Sequence, residues 1–196
     1  MKNVVCDLCF HHCVLKEGQR GFCRARIVKH GKIICENYGK ITSLALDPIE
    51  KKPLRRFHPG SNILSIGSYG CNMRCPFCQN HEISMSETIP YHPISPATLV
   101  ELACAKRKDG NIGIAFTYNE PLISYEYVFD CAVAAKAKDL AVVIVSNGMI
   151  ETTKLLALLP YIDAMNIDLK GFQDNIYEEL AGNLEQVKET IRCAAA

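Results

Sequence analysis

From Ser61 onward, short apolar runs alternate with longer amphipathic stretches, the pattern of strand followed by helix. Residues 63–66 read as a short apolar strand that enters the glycine-rich turn Gly67-Ser68-Tyr69-Gly70. Ser95 and Pro96 open a helix to about residue 108, serine as its cap and proline at its first position, where the missing N–H is no loss. Residues 112–116 are the next strand and 122–138 the next helix. Residues 141–145, valine-rich and apolar throughout, read as a parallel strand covered on both faces. A helix over 151–159 stops at Pro160, residues 162–169 give a fourth strand, and a last helix covers 184–193. Four βα units joined by short turns predict an α/β fold with a parallel sheet and right-handed crossovers, either open or closed into a barrel. In both cases the chemistry belongs in the loops after the carboxyl ends of the strands, here those beginning near Gly67, Thr117, Ser146 and Asp168.

The first sixty residues follow a different pattern. Two short strand-like runs flank His30-Gly31 between residues 24 and 38 and predict a hairpin. The segment Asp47-Pro48-Ile49-Glu50-Lys51-Lys52-Pro53, then His58-Pro59-Gly60, reads as an extended connector, because proline disfavours helix on both sides of itself. The expected division is therefore an N-terminal unit over 1–60 and a core over 61–196.

Composition then narrows the function. The 196 residues are 48% hydrophobic and 22% charged, which excludes a disordered or fibrous chain. With 22 Lys+Arg against 21 Asp+Glu there is no basic field for a phosphate backbone, so no nucleic-acid partner is expected. The outlier is cysteine, 11 residues in a chain without tryptophan. The start of the chain has no apolar leader, and no apolar run is long enough to cross a bilayer. The expectation is a cytoplasmic protein without a membrane partner, whose closely spaced thiols hold metal rather than each other.

Seven cysteines cluster. Cys71, Cys75 and Cys78 form a C-x3-C-x2-C triplet in the loop after the first strand. Three thiolates there can hold three irons of a 4Fe–4S cluster and leave the fourth open to an exogenous ligand. The competing readings are a zinc site completed by His81 and a set of buried thiols. Cys6, Cys9, Cys13 and Cys23, with Gly18 and Gly21 between them, suit either a closed zinc site or a second iron–sulfur cluster, and spacing does not separate the two. His11 and His12 read as exposed neighbours, and Cys104 and Cys131 as core packing. The basic run from Lys51 to His58 reads as a solvated connector face, or more sharply as a docking strip for a redox donor or protein substrate.

With Phe77 inside it, the C-x3-C-x-aromatic-C loop resembles the radical S-adenosylmethionine (SAM) superfamily. The resemblance implies that SAM chelates the open iron through its amino and carboxylate groups. One electron from the cluster then cleaves it to methionine and a 5'-deoxyadenosyl radical that abstracts hydrogen. It also implies that Phe77 lies beside the adenine. Thr117-Tyr118-Asn119-Glu120-Pro121 stands where the superfamily has G-G-E-P, with Tyr118 and Asn119 replacing the glycines, so Asn119 and Glu120 are implied to meet the cofactor's amino group. Ser146-Asn147-Gly148 and Asp168-Leu169-Lys170 resemble the D-T-N-G and D-L-K loops of pyruvate formate-lyase activating enzyme, and Ser146, Asn147, Asp168 and Lys170 are implied contacts for the ribose and carboxylate. Val145 replaces that enzyme's cation-binding aspartate, so the cation is not carried over. Two plainer readings stand beside these, Glu120 as a helix-start acid and Asn147-Gly148 as an ordinary turn.

The N-terminal cysteines, the Asp47 to Pro53 segment, Cys78-Gln79-Asn80 and Thr117 to Pro121 together resemble the AmmeMemoRadiSam system radical SAM enzyme family, with His81 where tryptophan is expected. The implied core is a partial parallel (β/α) barrel of the radical SAM type. The superfamily commonly has six strands; four are counted here, so the barrel is expected to stop after four βα units and to leave an open sheet edge. The implied partners are a one-electron reductant such as flavodoxin or ferredoxin and an unidentified substrate, a glycyl-radical-type protein or a partner of the Memo-type system being candidates. No residue is assigned as hydrogen-atom relay. A different class of reading is a non-catalytic iron–sulfur electron carrier or a zinc-stabilised interaction module.

Overall fold

The computed structural model describes residues 3–86 and 89–196. At the N-terminus β1 (Val4–Val5) pairs with β2 (Val14–Leu15), and β3 (Arg26–Lys29) with β4 (Lys32–Cys35), both antiparallel. The second pair is the hairpin expected around His30-Gly31. The Glu17 carboxylate accepts the backbone N–H groups of His30 and Gly31 at its turn, at 2.8 and 2.9 Å. After β5 (Lys40–Ile41), β6 (Ser43–Pro48) runs into a 3-10 turn, Ile49–Lys51, and then β7 (Asn62–Gly67). A short helix α1 (His81–Met85) follows, and β8 (His92–Pro93) returns to pair with β5.

The alternation predicted beyond this point is present. It runs α2 (Pro96–Ala105), β9 (Asn111–Phe116), α3 (Tyr125–Lys136), β10 (Ala141–Ser146), α4 (Thr152–Leu158) and β11 (Ala164–Ile167). Two further helices, α5 (Asp174–Glu179) and α6 (Leu184–Ala195), complete the described chain. Side chains fix the helix starts. Ser95 Oγ accepts the Thr98 N–H at 3.1 Å, and Asn183 Oδ1 accepts the Gln186 N–H at 2.9 Å, each satisfying a donor that a helix start leaves free. The helix expected from residue 122 begins at Tyr125, because Pro121 first opens a 3-10 turn, Pro121–Ser124.

The main sheet has five strands in the order β11-β10-β9-β7-β6. Neighbours from β7 to β11 are parallel, and β6 joins antiparallel at the edge, with Ser43 opposite Gly67 and Asp47 opposite Ile63. The segment read from sequence as connector thus begins inside the sheet. Prolines hid this strand: Pro48 lacks a ladder donor and is tolerated only because β6 is an edge. Strand order follows chain order without reversal, so successive crossovers lay their helices on one face. Leu64, Ile66, Ile114, Phe116, Val142 and Ile144 meet Leu99, Ala103, Val128, Ala132 and Leu155 there in the largest apolar cluster. The other face carries Ile63, Ala115 and Val143, covered by Ile49 and, less completely, by Leu54 and Phe57.

The N-terminal segment is fastened to this core. Cys6, Leu8, Cys23 and Ala25 belong to the same apolar cluster as the helices. Arg26, 5% exposed, donates both guanidinium arms to Glu126 of α3 at 2.7 and 2.6 Å, the bidentate geometry in which a buried arginine is best compensated. No helix among the described residues is long and apolar enough to cross a membrane.

Candidate active site

The four loops at the carboxyl ends of β7, β9, β10 and β11 converge on one cavity of about 680 Å³. Cys71, Cys75 and Cys78 line it from the first loop, Asn119 and Glu120 from the second, Ser146 and Asn147 from the third, and Asp168 and Lys170 from the fourth. Phe77 is on the same wall and 62% exposed. Every residue singled out in the core as a metal or cofactor contact therefore lines a single space.

The cluster loop is held from behind. Asn72 is buried, with its amide donating to the Met149 carbonyl at 2.7 Å while its own carbonyl meets His11 Nε2 at 2.8 Å. His11, expected to be an exposed neighbour, is half-buried and sandwiched between Phe10 and Phe22, with ring centroids 4.3 and 4.2 Å away. Arg74 turns away from the cavity, donates to the carbonyls of Cys71, Met73 and Phe22, and lies over the Phe22 ring. Gly70 has φ +87, and a Cβ there would run into the Cys23 carbonyl, so this position needs glycine twice over. The N-terminal cysteine segment is thus the backing of the cluster loop.

Burial pushes the Cys71 thiol up to about 12 and also raises Cys75. Burial thus favours the thiol over the thiolate at both, and a cation has to displace those protons on binding. Donors already point at Cys71: its Sγ lies 3.4 Å from the Met73 N–H and 3.7 Å from the Asn147 amide. Cys78 Sγ is 3.8 Å from Ser84 Oγ. Among the described residues no three His, Cys, Asp or Glu side chains are gathered tightly enough for a single ion. Cys71, Cys75 and Cys78 all line the cavity, whereas His81 is not among its lining residues. The donor set fits a 4Fe–4S cluster with one corner free.

Glu120 is 3% exposed and its carboxylate is fully engaged. Oε1 accepts from the Leu122 N–H at 2.9 Å and the Ser146 hydroxyl at 2.8 Å, and Oε2 from the Asn147 N–H at 2.8 Å. Burial still dominates and pushes it up to about 7, against those donors. Glu120 is thus a helix-start acid and a cavity residue at once, and it ties the β9 and β10 loops together. Asn119 does the same for β7 and β9, accepting from the Ser68 N–H and donating to the Gly70 carbonyl. Asn147 Oδ1 takes the Met149 N–H at 2.9 Å while its amide donates to Asn72, so the Asn147-Gly148 turn is also a cavity wall. Lys170 Nζ pairs with Asp168 at 2.9 Å. Burial works against its charge, but Asp168 and the nearby thiols raise its pKa overall.

The cavity also contains residues not expected in it. Asp47, Lys51 and Lys52 line the wall opposite the Asp168–Lys170 pair's strand, together with Tyr118. Lys52, placed by sequence on a solvated strip, is 3% exposed and bonded to Asp47 at 2.9 Å, which corrects that expectation for this residue. Lys51, Arg55 and Arg56 remain exposed. The available signal was the density of charge and proline in the 47–53 segment, which is what an edge strand carries.

At the N-terminus Cys6, Cys9 and Cys23 are buried and Cys13 is half-buried. Burial pushes Cys9 up to about 12 and raises Cys23, and the Phe22 N–H lies 3.4 Å from Cys13 Sγ. These four are near one another but are not gathered around a common point for one ion.

The family model that describes the Radical SAM superfamily matches residues 65–196. The chain is 42% identical over 194 residues to the uncharacterized protein MJ0808 of Methanocaldococcus jannaschii, an alignment covering 98% of this chain and 57% of that protein. It is 33% identical over 128 residues to the uncharacterized protein MJ0674 of the same organism, covering 61% of this chain and 32% of that one. The chain thus spans little more than half the length of the first relative and about a third of the second.

Proposed function

Because this chain belongs to the radical SAM superfamily, whose members are enzymes, we propose that its cavity carries out reductive cleavage of SAM for hydrogen abstraction. The observation that carries this reading is the convergence of Cys71, Cys75 and Cys78 with the three polar strand-end loops on one cavity. When bound, a reduced 4Fe–4S cluster would supply one electron to the sulfonium of SAM, whose sulfur–carbon bond would break to give methionine and a 5'-deoxyadenosyl radical.

The chain's own part is to bind and orient. Cys71, Cys75 and Cys78 hold three irons, and Asn147 and the Met73 N–H stabilise the Cys71 thiolate. Phe77 offers an exposed aromatic face for the adenine. Lys170, charged and paired with Asp168 at the cavity wall, would meet the cofactor's carboxylate, and Asp168 its ribose. Glu120 and Asn119 act mainly through the loops they tie, which lowers the cost of ordering the cavity on binding.

Finer features belong to the same proposal. The one-sided helices and the unreversed strand order, with β11 as an open edge, support a partial (β/α) barrel rather than a doubly wound sheet. The spacing of the N-terminal cysteines extends the proposal to the AmmeMemoRadiSam branch, related to the pyruvate formate-lyase activating enzyme, and to a zinc ion or second cluster that would draw Cys6, Cys9, Cys13 and Cys23 together on binding. Flavodoxin or ferredoxin is the proposed reductant, with the exposed Arg55 and Arg56 as its contact. Anaerobic reconstitution tests the cluster and its open corner. The reduced chain should give an electron paramagnetic resonance signal that shifts on adding SAM, and Cys75→Ala should lose both signal and bound core iron. A full cluster whose signal ignores SAM contradicts the proposal.

A further inference from the structure

Building on that function, we infer that Asp47, Lys51 and Lys52 form a subsite of the cavity for an oxyanion, a carboxylate or phosphate, carried by the substrate. Asp47 Oδ2 accepts from Lys52 Nζ at 2.9 Å and from the Tyr118 hydroxyl at 2.7 Å, while Oδ1 accepts from Lys51 Nζ at 3.1 Å. Two ammonium groups thus share one carboxylate, and this wall carries one positive charge in excess. The other charged side chains of the cavity leave no such surplus. Lys170 is matched by Asp168, and the Glu120 carboxylate is closed by three donors.

Donor capacity points the same way. An ammonium has three N–H donors. Among the described residues Lys51 and Lys52 each spend one on Asp47, and Lys52 also lies over the Tyr118 ring at 4.8 Å. Burying an ammonium is costly unless it is paired and its donors are met. Lys52 is 3% exposed, so a bridging oxyanion supplies both the missing acceptors and the missing charge.

The subsite is rigidly placed with respect to the cysteines. Tyr118 has φ +70, in the left-handed region, where the superfamily motif has glycine. That turn lays its ring against β7, and a Cβ on Gly67 would come within 3.0 Å of it. The Tyr118 carbonyl accepts the Asn80 amide at 2.8 Å, two residues beyond Cys78. The lysines that would bind the substrate and the loop that would hold the irons are therefore one unit, and an anionic substrate gripped there is fixed relative to the reacting centre.

The test uses the reconstituted chain with its cluster reduced and paramagnetic, and reads NMR line broadening of two probes, inorganic phosphate and acetate. Broadening of one or both is expected, and the probe affected identifies the oxyanion. Lys51→Arg should keep it. Lys51→Glu, at an exposed side chain that does not threaten folding, should weaken it roughly tenfold, the scale of one charge-assisted hydrogen bond. Adding methionine with 5'-deoxyadenosine should leave it in place. Equal broadening in Lys51→Glu means an adventitious ion only and overturns the subsite, and displacement by methionine with 5'-deoxyadenosine reassigns it to the cofactor and overturns it too. A signal that responds to SAM, with neither probe broadened, sinks the subsite alone, whereas a signal blind to SAM sinks the function beneath it.

Discussion

Glu120 is the most constrained side chain of the cavity and gives the clearest residue-level test. Its carboxyl titrates near 7 in the fold, against about 4.3 in an unfolded chain. The fold therefore prefers the protonated form. That contribution is complete below the unfolded value and is lost as pH rises through 7, amounting to about 4 kcal/mol at most. Metal-free protein should lose thermal stability between pH 5 and 8, and Glu120→Gln should flatten that slope; an unchanged slope would refute the assignment. Residue identity was largely legible in the sequence, since Cys71, Glu120, Asn147 and Lys170 all line the cavity. Their partners were not. Whether Glu120 faces a ligand or caps a turn depends on donors 26 and 27 residues away, on Ser146 and Asn147, which no local pattern encodes.

Among the elements, the cluster loop and the cysteine segment behind it depend on each other. Gly70 is where they touch, at a positive φ and with the Cys23 carbonyl against it. Gly70→Ala is expected to cost about 2–4 kcal/mol, the combined size of a strained backbone and an overpacked contact. Chemical denaturation of the metal-free chain measures it, and a loss within experimental error would show that the two segments are not coupled. The regular elements announced themselves through apolar runs and, at Ser95, through a cap, whereas the Asn183 cap was visible only in the structure. Edge strand β6 did not, because Pro48 and the charged residues after it imitate a connector. Helices α1 and α5, of five and six residues, are too short to show a helical period.

At the scale of the whole molecule, four parallel strands in chain order gather four loops at one end of the sheet, and charge and composition alone say nothing of this. The fold class was legible because βα alternation is a long-range pattern written locally, in period and punctuation. The N-terminal segment's role as backing was not, because it rests on Arg26–Glu126, on His11 against Asn72 and on shared core packing, all across large sequence separations. The central claim is that this arrangement cleaves SAM. Its most direct measurement is product formation by the anaerobically reconstituted chain with dithionite and SAM. 5'-Deoxyadenosine and methionine are expected in equal amounts, lost in Cys71→Ala. A chain that carries a full cluster, binds SAM and makes no 5'-deoxyadenosine would contradict it.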